Sequence, residues 1–209
     1  MIKKLLLFLI LLFIFSYSVI GQTDNTSEKI ENFYSNITIN KDGTIDVLEN
    51  IIYDFGALYK HGTYRIIPYI KTNQDGKKYI LDIKVLSIKN ENGKDYTYSI
   101  SKENENIKIK IGDPDKTITG VHAYLINYKI SGALTYFTNY DELYWNITGN
   151  DWGVPILNSS SKINMSEVIE LTKIKFICYT GVYKSIESSC SGNFDGKCSI
   201  PINKKSKGT

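Results

Sequence analysis

Arginine is almost missing from this sequence: Arg65 stands alone among 25 basic residues. Lysine is a hydrated point charge and lacks the planar fork that grips phosphate with two parallel hydrogen bonds. With a formal net charge of only +3, evenly mixed along the chain, a nucleic-acid surface is excluded. Histidine occurs twice, as His61 and His122, and neither lies in a His-Glu-x-x-His or Cys-pair spacing, so no dedicated metal site is expected. Gly-x-Ser-x-Gly, the phosphate-binding P-loop and Gly-x-Gly-x-x-Gly are all absent, which removes the usual support for hydrolase, nucleotide and dinucleotide chemistry, and no cofactor is expected. Cysteine is scarce and confined to the end of the chain, at Cys178, Cys190 and Cys198. In an oxidising compartment an odd count leaves one thiol over. The expectation is a Cys178–Cys190 bridge, with three reduced cysteines as the alternative.

Long apolar runs are also absent, except at the start. Lys3 and Lys4 precede an unbroken apolar stretch from Leu5 to Phe15, and small residues follow up to Gly21. This is the layout of a secretory signal removed before Gln22. The competing reading is a retained membrane anchor, although Leu5 to Ile20 falls short of the roughly 20 residues that span a bilayer. Either way the rest of the chain is exported. Loss of residues 1–21 would lower the formal charge from +3 to +1.

What the remainder has in abundance is two-residue alternation. Ile107, Ile109 and Ile111 alternate with Lys108 and Lys110; Leu81, Ile83 and Val85 alternate with Asp82 and Lys84; and Tyr124, Ile126, Tyr128 and Ile130 share one parity, with Asn127 and Lys129 on the other. Half-buried antiparallel strands read this way. Asn40–Gly43, Asn73–Gly76 and Asn90–Gly93 are turns of one chemistry, Asn or Asp followed by Gly, and Gly112-Asp113-Pro114-Asp115 is a fourth break, read as a plain turn in preference to a calcium loop. Strands are expected at Phe33–Ile39, Thr44–Phe55, Thr63–Ile67, Tyr79–Lys89, Tyr96–Ser101, Asn106–Ile111 and Val121–Ile130. A further strand is expected at Ile169–Tyr179. The predicted fold is all-β, an antiparallel β-sandwich of immunoglobulin-like size over residues 27–166, preceded by the signal or anchor helix. Residues 167–209 form a strand and a polar, cysteine-bearing tail, loosely ordered from Gly181 onward.

Both tryptophans lie within Asp141–Trp152, together with three acids and two amides, in a stretch with neither helical nor strand period. Residues 132–152 are read as a long loop closing one end of the sandwich, with room for one helical turn at 136–144. Dense aromatic-polar clusters outside regular elements suit binding. The candidate binding residues are Asp141, Glu142, Tyr144, Trp145, Asn146 and Trp152, joined by His61 and Arg65. Their ligand would be a protein or a glycan. A glycan hydrolase using Glu142 or Asp141 is the rival, opposed by the fact that neighbours on an extended chain point to opposite faces. A purely structural ectodomain is the third reading. The lone guanidinium of Arg65 is expected to pair with Asp141 or Glu142.

Four runs in order carry a resemblance: 39–49 (INKDGTIDVLE), 61–68 (HGTYRIIP), 109–113 (IKIGD) and the 142–152 cluster. They resemble the extracytoplasmic N-terminal region of domain-of-unknown-function family 2207, predicted membrane proteins of bacteria and some archaea. The resemblance implies a signal peptide, an exported β-rich domain and transmembrane helices beyond it. It implies a place on the extracytoplasmic side of the cell membrane. This chain reaches Thr209 with no second apolar run, as a fragment or a shortened secreted form would. The resemblance brings no catalytic residues with it.

Overall fold

The computed structural model describes residues 27–72, 76–180, 187–192 and 199–205. The amino-terminal apolar run, the turn at Asn73–Gly76 apart from Gly76, and Cys198 lie outside them. The strands are β1 (Lys29–Ile39), β2 (Ile45–Asp54), β3 (Gly62–Pro68), β4 (Ile70–Thr72), β5 (Lys78–Ile80), β6 (Asp82–Lys89), β7 (Tyr98–Glu103), β8 (Asn106–Gly112), β9 (Val121–Ser131), β10 (Leu134–Tyr136), β11 (Asp141–Leu143), β12 (Asn158–Met165), β13 (Ser191–Gly192) and β14 (Ser199–Lys205). One short 3-10 turn covers Leu171–Lys173. Apart from that turn the regular structure of the described residues is all β, as the alternation predicts.

Alternation decides which face each strand buries. β2 turns Ile45, Val47, Glu49, Ile51 and Tyr53 inward, and β9 turns Tyr124, Ile126, Tyr128 and Ile130 inward. Register sets Phe33, Ile51 and Tyr124 side by side across β1, β2 and β9, and Ile37, Val47 and Tyr128 likewise. These strands are the centre of a seven-stranded sheet ordered β13-β14-β12-β1-β2-β9-β6. A three-stranded sheet, β3-β8-β7, lays Ile67, Ile107, Ile109 and Ile111 into the same core. Each fully buried isoleucine is worth roughly 1.5–3 kcal/mol relative to exposure. The two sheets are the layers of the sandwich.

The turns behave as their chemistry requires. Asp42 accepts from the Thr44 amide and hydroxyl, and Gly43 takes φ +78°. Asp113 and Asp115 make a turn, with the Asp115 amide donating to the Asp113 carboxylate at 3.0 Å.

Three features depart from expectation. First, β12 exists, and it lies parallel to β1, from Phe33 opposite Ser159 to Ile39 opposite Met165. The sheet is therefore mixed. A parallel neighbour needs a connection that crosses from one end of the sheet to the other. Residues 144–157 are that crossover, tied to β1 by Ile30 N–H to the Pro155 carbonyl and Leu157 N–H to the Ile30 carbonyl, each 2.9 Å. Second, Ile169–Tyr179 is not a strand. Its alternation is genuine, with Ile174, Phe176 and Cys178 half-buried and Ile177 and Tyr179 exposed, but no strand among the described residues offers it a ladder. Third, residues 136–144 hold no helical turn. β10 and β11 form a two-stranded hairpin there, Leu134 opposite Leu143 and Tyr136 opposite Asp141. In the tail, β14 pairs with β12, so part of the segment expected to be loose belongs to the large sheet.

Candidate functional site

The four family-like runs converge on one buried ion pair. Arg65, at an inward position of β3, is 2% exposed, and Glu49, inward on β2, is fully buried. The pair is bidentate: Arg65 Nε donates to Glu49 Oε2 at 2.8 Å and Nη2 to Oε1 at 2.6 Å. The Tyr128 hydroxyl donates to the same Oε1 at 2.6 Å. Two fully desolvated charges persist only with such complete satisfaction. Burial, the largest single influence, disfavours the charged guanidinium. The adjacent carboxylate and its hydrogen bonds outweigh it and raise the Arg65 pKa above the ordinary arginine value. Burial first, then the Glu49 charge, pushes the Tyr128 hydroxyl well above the usual phenol range.

The crossover is built around that guanidinium. Arg65 Nη1 donates to the Ile66 carbonyl at 2.9 Å and Nη2 reaches the Ile147 carbonyl at 3.4 Å. Its carbon centre lies 5.5 Å from the Phe33 ring and 6.0 Å from the Trp152 ring. Gly149 has φ +79°, and a side chain there would run into Arg65 Nη1. The turn is held from within: Asn146 Oδ1 accepts from the Gly149 amide at 3.0 Å, Asn146 Nδ2 donates to Asn150 Oδ1 at 2.8 Å, and Trp152 Nε1 donates to the Thr148 carbonyl at 2.7 Å. Trp145, Ile147, Trp152, Val154 and Ile156 pack on the core while Tyr144, Asn146, Asp151, Gly153 and Pro155 face out. The tryptophans thus lid the sandwich beside β3. The remaining family-like run contributes Ile109, opposite Arg65, and Gly112, opposite Gly62. Those two glycines approach so closely that a Cβ on either would strike the backbone carbonyl beside the other.

The expected pairing of Arg65 with Asp141 or Glu142 is therefore corrected. Its partner is Glu49, sixteen positions away and inward on β2. Asp141 and Glu142 are exposed on β11, where successive side chains leave on opposite faces and do not flank a common point. His61 is exposed at the start of β3, with Nδ1 3.0 Å from the Lys116 carbonyl. The candidate residues thus divide. Arg65, Asn146, Trp145 and Trp152 belong to the crossover and its anchor. Asp141, Glu142 and Tyr144 lie on or beside the hairpin, and His61 is apart from both.

Two tyrosines not in that set complete the exposed surface. Tyr136, Tyr140 and Tyr144 are 66%, 56% and 64% exposed. Phe137 stacks on Tyr140 with ring centroids 4.6 Å apart, and the Phe137 amide donates to the Tyr140 carbonyl at 2.9 Å. The Tyr136 hydroxyl lies against Gly43 of the β1–β2 turn. Tyrosines recurring every four positions, at 136, 140 and 144, are the sequence signal that marks them. Among the described residues no cluster of His, Cys, Asp or Glu could hold a metal ion, and no helix is long and apolar enough to cross a membrane. Cys178 and Cys190 are joined by a disulfide, with Cα atoms 6.4 Å apart.

Comparison with known proteins places these features in a family. The uncharacterized protein YciQ of Escherichia coli (strain K12) is 27% identical over 170 residues, which is 79% of this chain and 27% of YciQ. The chain thus spans about a quarter of that relative's length. Among solved structures, native leukotriene A4 hydrolase from Saccharomyces cerevisiae aligns over 90% of this chain and 29% of its own, at TM-score 0.49 and 9% identity. A putative protease from Parabacteroides distasonis ATCC 8503 aligns over 85% and 35%, at TM-score 0.44 and 12% identity. The family model for the N-terminal domain of the predicted membrane proteins of DUF2207 matches residues 29–194, the stretch that contains the Glu49–Arg65 pair, the crossover and the hairpin, and the chain belongs to that family.

Proposed function

We propose that this domain is an extracytoplasmic interaction module of a bacterial membrane protein, presenting the 134–144 hairpin to a protein or glycan ligand. The observation that carries the reading is the row of exposed rings at Tyr136, Tyr140 and Tyr144 beside Asp141 and Glu142. Tyrosine offers large contact area with few rotatable bonds, and it is enriched at recognition surfaces for that reason. The hairpin is also braced. The crossover that follows it is anchored in the core through Trp145 and Ile147. Rigid support beneath an exposed aromatic surface lowers the entropic cost of binding. The extracytoplasmic placement draws on the amino-terminal apolar run and on the Cys178–Cys190 bridge, since such bridges persist in oxidising compartments.

Photo-crosslinking in the producing bacterium tests this. A benzophenone side chain is placed at Tyr140 or Tyr144 and, as a control, at Leu48 on the outer face of β2. A discrete adduct from the two hairpin positions and none from Leu48 is expected. Equal, diffuse labelling from all three would leave a structural ectodomain as the better account.

A further inference from the structure

We infer that the partner of the hairpin is an extended protein segment bearing lysine or arginine, whose cationic groups meet the exposed rings of Tyr140 and Tyr144 and the carboxylates of Asp141 and Glu142. The inference rests on the reading of the hairpin as the binding surface and names what it binds.

Charge distribution supports it. Residues 130–161 contain no lysine or arginine, in a chain with 25 such residues. Several acids elsewhere on the surface sit against lysines: Asp46 with Lys129, Glu103 with Lys108, Asp113 with Lys116. Neither Asp141 nor Glu142 has an ion-pair partner among the described residues. The lysine that does reach the base of the hairpin, Lys71, gives its ammonium to the Ala133 carbonyl at 3.0 Å. The hairpin thus offers negative charge and π-faces that no cation among the described residues neutralises. Phe137 covers one face of Tyr140, yet that side chain is 56% exposed. A cation over an exposed tyrosine ring is attracted by the ring quadrupole, and a neighbouring carboxylate adds to the pull. Lysine over tyrosine already occurs twice among the described residues, Lys108 on Tyr64 and Lys102 on Tyr69, each at 4.9 Å. The ribbon of β10 and β11 has only two strands, and among the described residues no third strand pairs with either edge, which leaves backbone groups that an extended partner can use. A neutral glycan would stack on the rings and donate its hydroxyls to carboxylate or amide oxygens alike, with no need of the negative charge, and an anionic wall polymer would be repelled.

Fluorescence anisotropy on the full-length chain tests the inference, with fluorescein-labelled decalysine as the probe and side-chain-acetylated decalysine as its uncharged counterpart. The variants are D141N/E142Q, Y140A/Y144A and the remote control E103Q/E105Q, each checked for native circular dichroism. Saturable binding of decalysine is expected, weakened about tenfold by either hairpin variant, unchanged in the control and lost on acetylation. Equal binding by all variants, or none by the parent, overturns the inference. N-acetylchitotetraose separates it from the reading beneath. If that sugar binds, and binding falls in Y140A/Y144A but not in D141N/E142Q, the hairpin is the surface and the cationic partner is wrong. If neither probe binds and the crosslinks also fail, both fall.

Discussion

Arg65 and Glu49 cannot be valued one at a time. Each charge is buried only because the other is there, and Tyr128 completes the carboxylate. Arg65→Met should therefore lower unfolding stability by about 3–5 kcal/mol, because it strands a buried carboxylate. The triple change E49L/R65M/Y128F, which removes every polar member, should recover most of that loss. Denaturant unfolding of both proteins checks the pair of outcomes, and a triple variant as weak as the single would mean that the network contributes net stability of its own. Half of this was legible. The lone arginine marked itself by rarity, at an inward parity between Thr63 and Ile67. Its partner was sought among the acids of the aromatic cluster, but the better signal lay in β2, where Glu49 shares parity with Ile45, Val47, Ile51 and Tyr53. An acid on the buried side of a strand must have a partner, and only one guanidinium existed to supply it.

At the level of elements, period-2 strands were easy to read and β12 was not. Its sequence, NSSSKINM, turns Ser161 inward, where its hydroxyl donates to the Ser35 carbonyl at 2.9 Å, and it gives the core only Ile163. Without β12 in view, a crossover has no reason to exist, and an extended segment whose alternate residues bury Trp145, Ile147 and Trp152 looks like a loop. The surface proposed to bind was similarly half visible. The aromatic richness was seen, but which rings fold inward depends on the crossover. The elements also differ in protection. β2 and β9 are central and carry the core, whereas all six residues of β7 are exposed at the edge of the small sheet. Hydrogen exchange followed by mass spectrometry should find β7 and the β10–β11 hairpin exchanging first and β2 and β9 last, with protection in the central strands approaching that of global unfolding. Slow exchange in β7 of the isolated chain would show that its edge is covered in solution.

For the whole molecule, the buried phenols set an alkaline limit. Burial raises Tyr124 and, with the Glu49 charge, Tyr128, and burial followed by the Glu28 charge raises Tyr53; Tyr96 is pushed up to about 12 by burial and then by Glu91. In the unfolded chain these groups ionise near 10.0. Their folded pKa values are higher, so the unfolded state is the one that loses protons first. Stability is accordingly full below pH 10 and falls as pH rises from there toward the folded values, by up to about 1.4 kcal/mol per pH unit for each such tyrosine. Urea unfolding at pH 8, 10 and 11 should show a level value followed by a steep decline, with tyrosinate absorbance appearing together with unfolding. A decline that begins well below pH 10 would point to other groups.

The parallel pairing of β1 with β12 sets an order of arrival. β1 is made first by any process that delivers the chain amino end first, and β2 can close one of its sides at once. The other side stays an open edge until residues 158–165 are delivered, after the rest of the central sheet is in place. Contacts that distant in sequence form slowly. Throughout that interval β1 is the strand most exposed to mispairing with another copy, so a chain stalled before residue 158 would be an aggregation hazard even with its core largely assembled.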